Sequence, residues 1–282
     1  MSVARNSSRA TRVPAVRRLG AAAALGAALS AAYASGAAAA PDDRVVFSGN
    51  GAWLTGDHGG AGAAATWLRQ FDSGNLIGLG VEYETIYNSH WTLGNLNGSV
   101  IVTPWNLRTS LYAEAHLGAG YTAQEYFRYT NVAGGFISTV TPWLSVQLEE
   151  RYIDIQPNYG NLPKLALSFR LAPKLLASVS YAQSFGGNLD TKLGTARLDY
   201  AGASFSWLIG GAYGPVAPRV LNFIGAFPGG VKTLKEGFLG LGRSFGRTDL
   251  QLIGDYQDLE GFKRTTITLN CTVHLGSRSP HP

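Results

Sequence analysis

Five histidines, one cysteine and a set of alternating charges are the groups of this 282-residue chain that could do chemistry. The histidines are His58, His90, His116, His274 and His281. None falls into H-E-x-x-H spacing, and Cys271 has no second cysteine to join it. A zinc site therefore lacks its ligands, and no metal is expected. Neither a G-x-x-x-x-G-K-[ST] phosphate loop nor a G-x-S-x-G nucleophile turn occurs, so no cofactor is expected either.

A hydrolase needs a nucleophile, a base and an orienting acid within hydrogen-bond reach. Ser110, Glu114 and His116 share one face of an alternating segment. Same-face neighbours on a strand are about 6.6–7 Å apart along the chain. Ser110 and His116 are six positions apart, too far for direct contact. They read better as polar residues lining an interior, and Asn88-Ser89-His90 as a loop tripeptide. The chain is read as a non-enzyme.

The larger set is Glu82, Glu84, Arg108, Glu114, His116, Glu149, Arg151, Arg170, Arg197, Asp199, Asp249 and Asp255. Each falls on the polar face of its segment, and the signs are mixed. Facing a shared interior, such charges can form a selectivity constriction. They can equally pair across strands as a structural network.

The elements that carry these residues are strands. From Leu107 to Leu117, Leu107, Leu111, Ala113, Ala115 and Leu117 lie on one face, with Thr109 the polar exception. Arg108, Ser110, Tyr112, Glu114 and His116 lie on the other. From Thr266 to Leu275 the pattern repeats, with Cys271 on the apolar face. This period of two marks strands. Strands are expected near 44–54, 61–71, 76–87, 91–102, 106–117, 126–140, 144–155, 164–171, 175–184, 192–200, 204–213, 234–244, 248–256 and 264–275. That makes 14; reading strands into the apolar stretch 220–227 of the long loop 214–233 leaves 12 or 16 open. Tight turns are expected at 72–75, 103–106, 141–143, 172–174, 201–203 and 245–247, where Pro, Gly or Asn supplies the turn dihedrals. Longer polar connections are expected at 155–163 and 185–192.

Charged residues are only 15% of the chain against 45% hydrophobic, and the net charge is +5. Arg5, Arg9, Arg12, Arg17 and Arg18 precede an Ala- and Leu-rich run from Leu19 to Ala34, then small residues up to Ala40. That order is a secretory signal peptide over 1–40, with cleavage near 38–40. Its removal takes five of the 23 basic residues and none of the 18 acidic ones, leaving 18 against 18. A phosphate-tracking surface needs a basic excess, so no nucleic-acid partner is expected.

After residue 40 no run of 18 apolar residues provides a helical span. A soluble sandwich would carry abundant Lys and Glu outside, whereas the polar faces here are Ser, Thr, Gln, Asn, Gly and paired charges. Trp105, Tyr121, Tyr126, Phe127, Trp143, Tyr152 and Tyr159 crowd the strand ends, where a membrane barrel places its aromatic girdles. In lipid every backbone group must be paired, so a sheet must close. Residues 41–282 are therefore expected to form a closed, antiparallel, up-and-down transmembrane β-barrel.

The run from Leu193 to Tyr200, followed by Ser206 to Gly211 and Tyr213-Gly214, resembles the YaiO-like outer-membrane β-barrels, as does the hairpin from Gly246 to Gly276. The resemblance implies an outer-membrane location, surrounding outer-membrane lipid and insertion by the barrel-assembly machinery. Such barrels usually end on an aromatic residue, whereas this last strand ends Val273-His274-Leu275. Three functions fit: a passive channel or conduit for small or polysaccharide-like solutes, a structural or adhesive barrel acting through its loops, and an outer-membrane lipid-modifying enzyme.

Overall fold

The computed structural model describes residues 42–56, 58–71, 75–86, 89–102, 108–122, 126–155, 158–216 and 231–275. The expected signal segment, the turn at 103–106, most of the turn at 72–75, most of the loop 214–233 and residues 276–282, His281 included, lie outside them. The described elements are all strands. In chain order they are β1 Asp42–Leu54, β2 His58–Gln70, β3 Leu76–Ile86, β4 Ser89–Val102, β5 Thr109–Thr122, β6 Tyr126–Thr141, β7 Leu144–Ile155 and β8 Asn158–Asn161. They continue as β9 Lys164–Ala172, β10 Leu175–Gln183, β11 Lys192–Ala201, β12 Phe205–Val216, β13 Lys232–Phe245, β14 Thr248–Leu259 and β15 Phe262–His274.

Sequence neighbours pair antiparallel, and β1 pairs with β15 from Arg44↔His274 to Leu54↔Arg264, which closes the sheet. β8 and β9 are two parts of one stave. β7 pairs Glu149 with Lys164 and, in unbroken register, Tyr152 with Asn161. Leu162 N–H donates to the Arg151 carbonyl at 2.7 Å between them. Pro163 interrupts the ladder because it has no N–H to give. The barrel thus has the 14 staves that the alternation predicts, and 12 and 16 are excluded.

The expected long connection over 155–163 is corrected: only two residues separate β7 from β8, and 158–161 are sheet. The expected contrast between short turns and long loops rests on two connections, 184–191 and 217–231, which leave from the same end. The remaining connections at that end span two or three residues.

Burial alternates along each strand, and this assigns the faces. Leu79, Val81, Leu96, Val100, Leu117, Val132, Leu148, Val179, Ile209, Leu239, Leu252 and Leu269 are all exposed. So many exposed apolar side chains on one continuous surface would not suit water; they form a belt for lipid. Trp143, Phe205 and Phe245 flank the belt near the short-turn end, and Trp53, Tyr83, Tyr126, Tyr152, Tyr159, Tyr181 and Tyr213 near the other. Trp143 stacks on Phe169, and Tyr200 on Trp207. Cys271 shares the outward face of β15 with Ile267 and Leu269, as expected.

Inside, large side chains cover glycines on neighbouring strands. A Cβ at Gly210 would stand 2.6 Å from both the Ala196 carbonyl oxygen and the Phe238 ring. The carbonyl belongs to the ladder and cannot move away. Gly210→Ala should therefore destabilise the barrel by about 1–3 kcal/mol, read as a lower urea midpoint for loss of the folded band on an unheated gel. An unchanged midpoint would contradict this packing.

Candidate functional site: the barrel lumen

The inward face of β5, β6, β7 and β9 carries a buried charge network. Arg151 on β7 is its hub. Its guanidinium pairs with Glu114 of β5, donates from Nε to Glu149 Oε1 at 2.9 Å, and donates from Nη1 to Asn131 Oδ1. Lys164 on β9 brings its ammonium 3.2 Å from Glu149 Oε2. The Tyr112 hydroxyl donates to the same oxygen at 2.7 Å, and Gln147 Nε2 donates to Tyr112 at 2.7 Å. Asn131 Nδ2 donates to the Tyr129 hydroxyl at 2.9 Å. Two carboxylates thus meet two cations, so the cluster is balanced, as buried charges must be.

His116 packs edge-on against Tyr129, with ring centroids 5.2 Å apart. It shares the inward face of β5 with Glu114 and Ser110. Glu114 turns to Arg151 rather than orienting His116.

A second network lies where the barrel closes. His274, the last residue of β15, places Nδ1 2.9 Å from Asp42 and Nε2 2.8 Å from Asp249. Arg44 Nη1 donates to the other Asp42 oxygen at 2.9 Å, and Nη2 donates to Gln70 Oε1 at 3.2 Å. Both His274 ring nitrogens face acceptors, so the arrangement is fully satisfied when both carry protons. On β11, Arg197 pairs with Asp199. On β15, Arg264 is buried with Asp255, Glu84 and Glu236 as its acidic neighbours. Glu82 lies on the same inward face of β3 as Glu84.

The structure gathers ten of the twelve sequence candidates in the interior. Arg108 and Arg170 are the other two. Both have inward parity, but Arg108 sits in a bend before β5 and Arg170 is two residues from the end of β9, and both are exposed. They stand at the short-turn rim because the wall stops there. Lys164, Arg44, Asp42 and Glu236 complete the networks and were not singled out from sequence. Lys164 has the same parity as Arg170, which is the signal that could have found it.

Near the longer loops the interior turns apolar. Tyr129, Ile153, Leu189, Leu193, Ala212, Val216, Leu234 and Leu259 form one buried cluster, with Leu162 and Phe262 against it. These residues come from both sides of the barrel. One member, Leu189, is 1% exposed and belongs to the connection between β10 and β11. The first residues of that connection continue the wall ladder beside β8, and Leu189 turns its side chain inward. Phe185 exchanges backbone hydrogen bonds with Asn161, Asn188 N–H donates to the Tyr159 carbonyl at 2.9 Å, and Ser184 N–H donates to the Thr191 carbonyl at 2.7 Å. Gly186 and Gly187 take φ of 65° and 69°, open to glycine at no steric cost, and a side chain at Gly187 would strike the Tyr159 carbonyl.

No family model matches this chain, and neither does any curated protein. Solved structures do match. The monoaromatic hydrocarbon channel CymD aligns over 86% of this chain and 89% of its own, at 10% identity and a TM-score of 0.56. The TodX monoaromatic hydrocarbon channel, as its deltaS2 mutant, covers 83% and 89% at 8% identity and TM-score 0.52. The Acinetobacter baumannii outer membrane protein Omp33 covers 83% and 99% at 13% identity and TM-score 0.50. The fold is that of an outer-membrane β-barrel. In an outer-membrane barrel the apolar belt meets lipid and the alternate residues face the lumen, so the networks above line the interior of a membrane-spanning wall.

Proposed function

We propose that this barrel is a passive outer-membrane channel for small polar solutes, oligosaccharide-like molecules among them. The carrying observation is the composition of the inward face of β9 to β14 on the short-turn side of the apolar cluster. Ser168, Ser178, Ser180, Thr195, Ser206, Ser244 and Gln251 line it beside the Arg197–Asp199 pair. Ser180 and Thr195 hydroxyls lie 2.7 Å apart. These hydroxyls, set among Leu208, Phe238 and Ile253 of the same face, offer solutes exchangeable donors and acceptors without strong traps. The channel fold relatives are consistent with transport, and membership of the YaiO-like barrels is part of the same proposal.

A second reading has its own observation. The apolar cluster around Leu189 spans the interior, as a sealed structural barrel would require. Liposome swelling separates the two. Full-length protein in vesicles should admit a pentose readily and a tetrasaccharide slowly. Exclusion of every sugar by both the native barrel and a Leu189→Ser variant would leave the sealed reading standing.

A further inference from the structure

The lumen charges are balanced in one half of the barrel and unbalanced in the other. Glu114 and Glu149 are matched by Arg151 and Lys164, and Asp199 by Arg197. The sector formed by β13, β14, β15, β1, β2 and β3 is different. Asp42, Glu82, Glu84, Glu236, Asp249 and Asp255 point inward there, and among the described residues they meet Arg44, Arg264 and the His274 imidazole, with Lys232 tied to Glu260 at the turn. Counted formally, six acidic groups face three basic ones, an excess of three acidic groups.

The polar atoms between these carboxylates point the same way. Gln257 is 0% exposed; its amide nitrogen donates to Glu236 at 3.1 Å, and its Oε1 has no partner among the described residues. Thr66 is 3% exposed and its hydroxyl oxygen is likewise unpartnered. Asn50 Oδ1 and Thr266 Oγ1, on neighbouring strands of the same sector, are also buried and unmatched. Buried acceptors without donors are costly unless something supplies positive charge or a hydrogen. Four oxygens and an acidic excess on one side of a lumen suit a ligand that brings positive charge.

We propose that this sector makes the channel cation-selective, so that small monovalent cations such as potassium or an alkylammonium pass in preference to anions. The inference rests on the channel reading above. Inside a low-dielectric wall the field of an uncompensated carboxylate is focused into the lumen and raises the local cation concentration.

The test is the reversal potential of the full-length barrel in a planar bilayer under a potassium chloride gradient. Potassium should be favoured over chloride by at least about threefold. Glu82→Gln, a residue with no ion pair among the described residues, should move that ratio toward one. Asp43→Asn, on the outward face beside Arg69, should leave it unchanged. A conducting barrel with a ratio of one or below overturns the inference while leaving the channel reading intact. A cation preference that survives Glu82→Gln, Glu84→Gln and Glu236→Gln together overturns the assignment to this sector. Absence of conductance in both the native and Leu189→Ser proteins overturns the channel reading, and the inference with it.

Discussion

Replacing Arg151 with alanine should cost the barrel about 3–5 kcal/mol, the largest loss expected from a single lumen substitution. The guanidinium is buried and holds Glu114, Glu149 and Asn131 at once. Removing it leaves two buried carboxylates facing each other, with Lys164 the remaining cation of the cluster. The cost arises from the uncompensated charges rather than from lost attraction alone. Combining Arg151→Ala with Glu114→Gln and Glu149→Gln should therefore restore much of the stability. Urea midpoints followed by the shift between folded and heat-denatured gel bands would read both effects. If the triple variant is no more stable than the single one, the network does not work by charge compensation.

Leu189→Ser should have the largest effect on permeation. Leu189 is the side chain that the connection between β10 and β11 contributes to the apolar cluster, whose other members come from both sides of the barrel. A hydroxymethyl group there leaves a gap and admits water to a layer otherwise lined by Ile153, Leu193, Val216 and Leu234. Single-channel conductance should rise several-fold. The gel shift should stay, because β10 and β11 keep their own ladder from Leu175↔Tyr200 to Gln183↔Lys192. Leu189→Met, which keeps the volume, should behave as the native protein does. Unchanged conductance in Leu189→Ser would show that the cluster is not the barrier.

The wall was legible in the sequence and the interior only in part. Alternation from Leu107 to Leu117 gives the parity of Tyr112, Glu114 and His116 directly, because period two is a property of one strand. It cannot say that Glu114 meets Arg151, since that depends on register across β5, β6 and β7 and on the tilt of the staves. Height was also illegible: Arg108 and Arg170 have the right parity but stand where the wall ends. Asn158–Asn161 was hidden because Pro157-Asn158, Gly160-Asn161 and Pro163 look like a loop, although the segment keeps the same register across the break. Leu189 carried no signal, being a lone apolar residue among Gly186, Gly187, Asn188 and Asp190.

The turn that joins β14 to β15 shows how the longer-loop end is tied down. Glu260 accepts hydrogen bonds from Thr233 N–H at 3.1 Å and from Lys232 Nζ at 3.2 Å. The Thr233 bond, more than the lysine, holds its carboxyl below the usual carboxylate range. This anchors the start of β13 beside the turn, next to Leu234 and Leu259 of the apolar cluster.

Current recording on the full-length protein in planar lipid bilayers tests the central claim most directly. A passive channel with a polar lumen and a barrier at Leu189 should give discrete conductance steps, small in the native barrel and larger in Leu189→Ser, with Arg197→Glu changing their size. Folded, membrane-inserted protein that shows no steps in either form would contradict it.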